Sequence, residues 1–366
     1  MIKYSFKIIF ILLLSGISTV FSQENKNTNL IDPYLNAKSN AYMNRQQAAL
    51  LKEIFDVVDA NPPTYPAARI RQTALYLFDA VMHDKYVAFR KPIQEFFHMR
   101  IKKALTEIKN TQIDEGAKIW KLYNMGFVVK TKSVTIAFDL VRAVSADCKE
   151  FELSNDIIKE FAKQCDVLFV SHWHDDHQDK IVAQIFLDAG KPVVAPEQVW
   201  KNDPIFTKIT HLKREAHKVQ KLKIKNGKLK LKVVIYPGHQ MSKTDVNVPL
   251  ILTPEGINIA HLGDQINEGD FMIDYDWIDN VANNFHVDIM MPTNWTNELS
   301  RIAKGFNPEL TVIGHENELG HKIDDRDPFW GDTEHSEPSL VEFLESDYPH
   351  LLMVWGESYH YIPNKK

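Results

Sequence analysis

Three imidazoles and a carboxylate crowded into six residues, within His172-Trp173-His174-Asp175-Asp176-His177, constrain this chain more than any other feature. Protonated histidines so close together repel one another, and buried ones lose solvation. A divalent cation removes that conflict by taking up their lone pairs. The run follows directly on Val167-Leu168-Phe169-Val170, which reads as a buried strand, with only Ser171 between. His172 and His174 alternate and so project to one side of an extended segment, while a turn after them brings Asp176 and His177 toward an adjacent position. The bland alternative is a cluster of histidines on the surface.

The rest of the chain supplies a layered α/β setting for that strand end. From Asn40 to Lys109 the apolar residues recur with helical period: Leu51, Ile54, Phe55 and Val58 share one face, and Ile70, Leu77, Phe78 and Val81 another. Asn61-Pro62-Pro63 separates these two segments, and a third amphipathic stretch runs from Pro92 to Ile108. After Gly116 the texture turns β-rich. Leu122 to Lys130 and Ser133 to Leu140 read as paired strands, with helical patterns over Asn155 to Gln164 and Lys180 to Ala189. Lys221 to Lys232 alternates lysine with apolar residues around Asn226-Gly227, a hairpin signal. Its lysine face reads as a solvated guard on an edge strand, with an anionic substrate or membrane patch as the alternative.

Single donors recur at later strand ends, in Tyr236-Pro237-Gly238-His239, His261-Leu262-Gly263-Asp264 and Ile313-Gly314-His315. With these in order behind the first run, the chain resembles the metallo-β-lactamase superfamily, whose HxHxDH signature the run His172 to His177 matches. The resemblance covers roughly residues 119 to 366. It implies an αββα sandwich, here with an N-terminal helical region, and a layout of 1–22, 23–118 and 119–366 as signal peptide, helical region and hydrolase domain. It further implies that His172, His174 and His239 bind one metal, that Asp176, His177 and His315 bind another, and that Asp264 bridges them, with Asp176 and Asp264 as the catalytic carboxylates. His321 is the alternative to His315, which is preferred for its place at a strand end. Imidazole and carboxylate donors suit two zinc ions, with iron or manganese as alternatives.

Many relatives carry an Asp followed closely by Gly after an early strand; this chain has Phe138-Asp139-Leu140 without the glycine, so Asp139 is expected only to support the metal loop. His261 is expected either beside the ligands or in a strand interior. Asn294 and Trp295 are candidates for the pocket lining or for a capped loop, and His321 for a leaving-group contact.

Two close cations bridging a water would lower its pKa from about 15.7 toward neutrality and present hydroxide at physiological pH. Metal-dependent hydrolysis is therefore the expected reaction, and no Gly-x-Ser-x-Gly elbow offers a serine nucleophile. The resemblance associates a bridging Asp with phosphodiester, thioester and lactone or other ester substrates, small or lipid-like, rather than β-lactams. A β-lactam hydrolase, a metal-binding scaffold without turnover, and a di-iron oxidoreductase are the competing classes.

Lys3 and Lys7, the apolar run Ile8 to Val20 and the polar exit Phe21-Ser22-Gln23 read as a secretory signal peptide cleaved near Ser22-Gln23. The mature chain is then expected in the periplasm or outside the cell, without a transmembrane helix. Losing that segment, which holds no Asp or Glu, moves the formal charge from −5 to −7, which does not suit a nucleic-acid binder. Export permits a disulfide between the only two cysteines, Cys148 and Cys165, although two buried thiols fit as well.

Overall fold

The computed structural model describes residues 37–84, 86–143, 148–240, 244–265, 274–294, 296, 298–316 and 343–363. The expected signal peptide lies outside them. Three helices come first: α1 (Ala37–Ala60), α2 (Arg69–Met82) and α3 (Lys91–Asn110). Next come β1 (Ala117–Lys121), β2 (Phe127–Lys130), β3 (Thr135–Phe138), α4 (Asn155–Gln164), β4 (Val167–Phe169), α5 (Lys180–Asp188) and β5 (Val193–Val194). A long antiparallel run then forms β6 (Gln220–Ile224), β7 (Leu229–Gln240), β8 (Thr244–Leu252) and β9 (Asn258–Gly263). The remainder holds α6 (Tyr275–Ile278), α7 (Val281–Asn284), β10 (Ile289–Pro292), α8 (Leu299–Phe306), β11 (Leu310–Val312), β12 (His350–Leu351) and β13 (Ser358–Tyr361). No helix among the described residues is long and apolar enough to cross a membrane.

Local chemistry sets the helix starts. Ser154 accepts the Ile157 N–H ahead of α4, and Asp179 accepts the Ile181 and Val182 N–H groups ahead of α5. The strands assemble into two sheets, ordered β13-β1-β2-β3-β4-β5 and β12-β11-β10-β9-β8-β7-β6. Alternation along each strand divides the apolar side chains into three layers. Ile119, Phe127, Ile136, Phe138 and Phe169 of the first sheet meet Leu231, Val233, Ile251, Ile259 and Met291 of the second between the sheets. Trp120, Val128, Ala137 and Leu168 face outward, where Ile54, Phe55, Phe78 and Phe97 of α1–α3 and Phe161 and Phe186 of α4–α5 cover them. On the opposite outer face Tyr236, Val248, Ala260 and Met290 pack against Trp277, Ile302 and Phe306. The molecule is therefore an αββα sandwich, and the first helices supply one of its outer layers. Arg71 of α2 fastens that layer through a buried bidentate pair with Glu357 at 2.8 and 2.6 Å.

Two strand expectations change. The run from Leu122 to Lys130 is not one strand: a turn over Tyr123-Asn124-Met125 divides it, with Asn124 left-handed at φ 47° and Gly126 N–H donating to Tyr123 O. His239 does not lie past a strand end, because β7 continues through Pro237 to Gln240 by pairing with β8, His239 opposite Asp245. The lysine hairpin is an edge, since β6 ends its sheet; Lys221, Lys223, Lys230 and Lys232 point outward while Leu222, Ile224, Leu231 and Val233 are buried. Cys148 and Cys165 are both buried free thiols.

Candidate metal centre

The segment after β4 leaves the sheet and turns back on itself, His177 and Gln178 N–H both donating to the His174 carbonyl at 3.0 Å. That turn sets His172 and His177 with ring centroids 4.1 Å apart and His172 and His174 4.6 Å apart. The loops after β9 and β11 add Asp264 and His315. Two groups of donors result: Asp176, His177, Asp264 and His315, whose ligand atoms all lie within 4.8 Å of one another, and His172, His174 and Asp264 by the same measure. Asp264 belongs to both.

In the first group His177 Nε2 is 2.9 Å from Asp176 Oδ2 and 3.1 Å from Asp264 Oδ2, and His315 Nε2 is 3.1 and 3.4 Å from the same two atoms. The edge of a tetrahedron with metal–ligand bonds of about 2.0–2.1 Å is about 3.3 Å, so these spacings fit a four-coordinate cation. Among the described residues, His172 Nε2 and Asp264 Oδ1 are buried without a hydrogen-bond partner. Such atoms are costly unless something else satisfies them, and a cation would. The donors present therefore fit the metals the sequence implied.

Electrostatics agree. Burial pushes the His172 imidazole down to about 3 and lowers His174 as well, so both keep their lone pairs at neutral pH. Burial also opposes ionisation of Asp176 and Asp264, but the imidazoles of His177 and His315 prevail and hold both carboxyls well below the usual range. His177 is the converse case: burial disfavours its cation, yet Asp176, Asp264 and Asp139 outweigh burial and raise its pKa well above the ordinary value. A divalent cation would take over that positive charge and release the proton.

Several residues around the donors fix their orientation. Asp139, fully buried, accepts Ser171 N–H at 2.7 Å and Ser171 Oγ–H at 2.6 Å, and lies 2.8 Å from His177 Nδ1. The support expected of it thus has a geometry, reached without the glycine of the relatives. Gly263 makes this possible: at φ 53° a Cβ there would lie 2.5 Å from Ser171 Cβ. His261 lies inside β9, stacked on Phe138 with centroids 4.8 Å apart, its Nε2 2.9 Å from Met125 O and 3.9 Å from Asp139 Oδ2. It touches the support rather than the donor clusters.

His239 is the one expected ligand that the structure does not bring into either group. Its Nδ1 is 2.9 Å from Asp274 Oδ1 and its N–H donates to Gln265 Oε1, which anchors it at the edge of the site. Asn294 donates its backbone N–H to Gly314 O at 3.1 Å, next to His315. Trp295 and His321 lie outside the described residues.

Sequence reading missed Asn124, Ser171, Gln240, Gln265 and Asp274. Gln240 donates to Asp264 Oδ2 at 3.2 Å, and Gln265 donates to Asp274 Oδ2 at 2.7 Å. Their one sequence signal is adjacency, since Ser171, Gln240 and Gln265 each neighbour a predicted ligand; Asn124 and Asp274 lack even that.

No family model matches the sequence, and no curated protein matches it. Among solved structures the chain is similar to a metallohydrolase of the archaeon Ignicoccus hospitalis, at 16% identity and a TM-score of 0.47 over 67% of this chain and 98% of that one. An isothiocyanate hydrolase from Delia radicum gut bacteria aligns at 16% identity and 0.45, over 67% and 100%. A diiron β-hydroxylase of Streptomyces venezuelae aligns at 12% and 0.43, over 69% of this chain and 55% of its own. Likenesses this distant carry nothing about substrate, and the fold stands on the layers and topology themselves. Two facing sheets, helices on both outer faces and a His/Asp cluster at the strand ends make this the αββα sandwich of metallo-β-lactamase type that the HxHxDH run implied.

Proposed function

We propose that this protein is a binuclear metal-dependent hydrolase of the metallo-β-lactamase superfamily. Its proposed substrate is a small or lipid-like phosphodiester, or a carboxylic ester, lactone or thioester. It would work after export and removal of residues 1–22. The observation that supports this most is the pair of donor groups meeting at Asp264. His172, His174 and Asp264 would hold one cation, and Asp176, His177, Asp264 and His315 the other; His239 is a further ligand of the first on the resemblance alone. Zinc is the proposed metal, given a site rich in imidazole with carboxylate donors.

Two bound cations would supply Lewis acidity toward a substrate oxygen and lower the pKa of a water toward neutrality. The chain's own residues do the rest. Asp139 orients the His177 ring through Nδ1, and Asp274 does the same for His239, which leaves Nε2 of each ring for ligation. Gln240 fixes the Asp264 carboxylate from one side. Trp173, 47% exposed with its ring centroid 4.5 Å from that of His174, offers a flat apolar surface beside the donors for the substrate's non-reacting part. Asp264 as the shared ligand favours ester or phosphodiester cleavage over β-lactam cleavage.

Metal analysis of the purified chain, with a panel of phosphodiester, thioester, lactone and β-lactam substrates, tests the reading. About two zinc ions per chain and metal-dependent turnover of an ester or phosphodiester are expected. Asp264→Ala should lose at least one metal and abolish turnover. Full metal content and activity in that variant would remove Asp264 from the bridging role.

A further inference from the structure

We propose that Asn124, at the turn between β1 and β2, is a positioning residue for the Asp176/His315 half of the centre. The proposal rests on reading the donor groups as a metal site. Asn124 is fully buried, and it holds two donors at once. Its Nδ2 donates to Asp176 Oδ2 at 3.1 Å, and its backbone carbonyl accepts the His315 N–H at 3.2 Å. Asp176 Oδ2 is the same atom that lies 3.1 Å from His315 Nε2, so the contacts close a small ring through one side chain and one peptide group.

The turn is itself locked. Lys121 Nζ donates to the Asn124 carbonyl and pairs at 2.7 Å with Glu316, the residue after His315, both side chains being 1% exposed. Gly314 lets the turn approach, since a Cβ there would meet Met125 Sδ at 2.4 Å. Backbone bonds from Lys121 N to Glu357 O and from Gly356 N to Lys121 O join this lock to the segment that Arg71 holds. Asn124 touches Asp176 and His315, which belong to the same donor group, so its effect should fall on one metal position.

Its conformation allows a clean test. At φ 47° Asn124 is left-handed, which Gly, Asp and His also tolerate. Asn124→Gly keeps the turn and both carbonyl contacts while deleting the side chain that carries the Nδ2 donor. Asn124→Asp keeps the size and sets an acceptor against Asp176. Asn124→His restores an N–H at the same reach from the backbone, because its Nδ1 lies as many bonds from Cα as the Asn Nδ2.

Full-length wild type and variants, stripped of metal, would be titrated with zinc against a chromophoric chelator and with cobalt by visible absorption. For Asn124→Gly one of two binding phases should weaken about 10- to 100-fold, as loss of a residue that orients a ligand typically does. The cobalt bands of that phase should shift while the other phase stays as in wild type. Asn124→Asp should weaken the same phase at least as much, which keeps the test open should the glycine variant fold poorly. Asn124→His should recover most of the loss. Two unchanged phases in both Gly and Asp variants, or equal weakening of both phases, would overturn the assignment. A wild-type chain that takes up neither metal would instead fell the underlying reading, and the inference with it.

Discussion

Arg71 offers a measurable test of how firmly the first helices belong to the sandwich. Its guanidinium is 1% exposed and donates to both Glu357 oxygens, to Asn61 O at 3.0 Å and to Leu352 O at 2.7 Å. Arg71→Met fills much of the same volume but leaves a buried carboxylate without its cation. Breaking a buried pair in this way costs about 3–5 kcal/mol. For a chain of this length that corresponds to a fall in melting temperature of roughly 4–7 °C. The double variant Arg71→Met/Glu357→Gln removes the stranded charge while its amide oxygen still accepts the Val354 N–H, which Glu357 accepts at 2.8 Å. It should therefore melt above the single variant by at least about 3 °C, a partial recovery on the scale of the charge removed. Thermal unfolding followed by circular dichroism reads both numbers. A single variant within 1 °C of wild type, or a double variant no more stable than the single, would refute the argument that this pair couples α2 to the strand layer.

Asp139→Asn keeps the shape but cannot accept from Ser171 N, Ser171 Oγ and His177 Nδ1 together; zinc affinity by chelator competition should fall about 10- to 100-fold, and unchanged affinity would remove Asp139 from the support of His177. Burial pushes the Cys165 thiol up to about 12 and raises Cys148 too. Neither should react with a thiol reagent at neutral pH in the folded chain, and both should react in denaturant. Rapid native labelling would contradict the burial of either.

The first donor run was legible because its chemistry is local. Histidines at alternate positions after an apolar strand announce a shared ligand whatever the rest of the chain does, and His172, His174, Asp176 and His177 do converge. The αββα layering was legible through the resemblance, and periodicity marked the helices but not every face: Ile70 and Leu77, expected beside Phe78 and Val81, are exposed while those two are buried. The turn at Asn124 was not: Leu122 to Lys130 reads as one strand, and only the left-handed residue and Gly126 break it. His239 was expected past a strand end, but pairing with β8 carries β7 on through it.

Sequence by itself determined which side chains can bind a metal and in what order they appear, since ligand chemistry belongs to residue type and alternation to the strand. Tertiary structure alone decided which of them share a cation-sized space and what holds them there. Asp264 joins both groups, His239 is tied to Asp274, and Asn124 reaches Asp176 across 52 residues of chain. Hydrogen bonds of that kind depend on distances between segments that only the packed sheets set, so no local pattern encodes them.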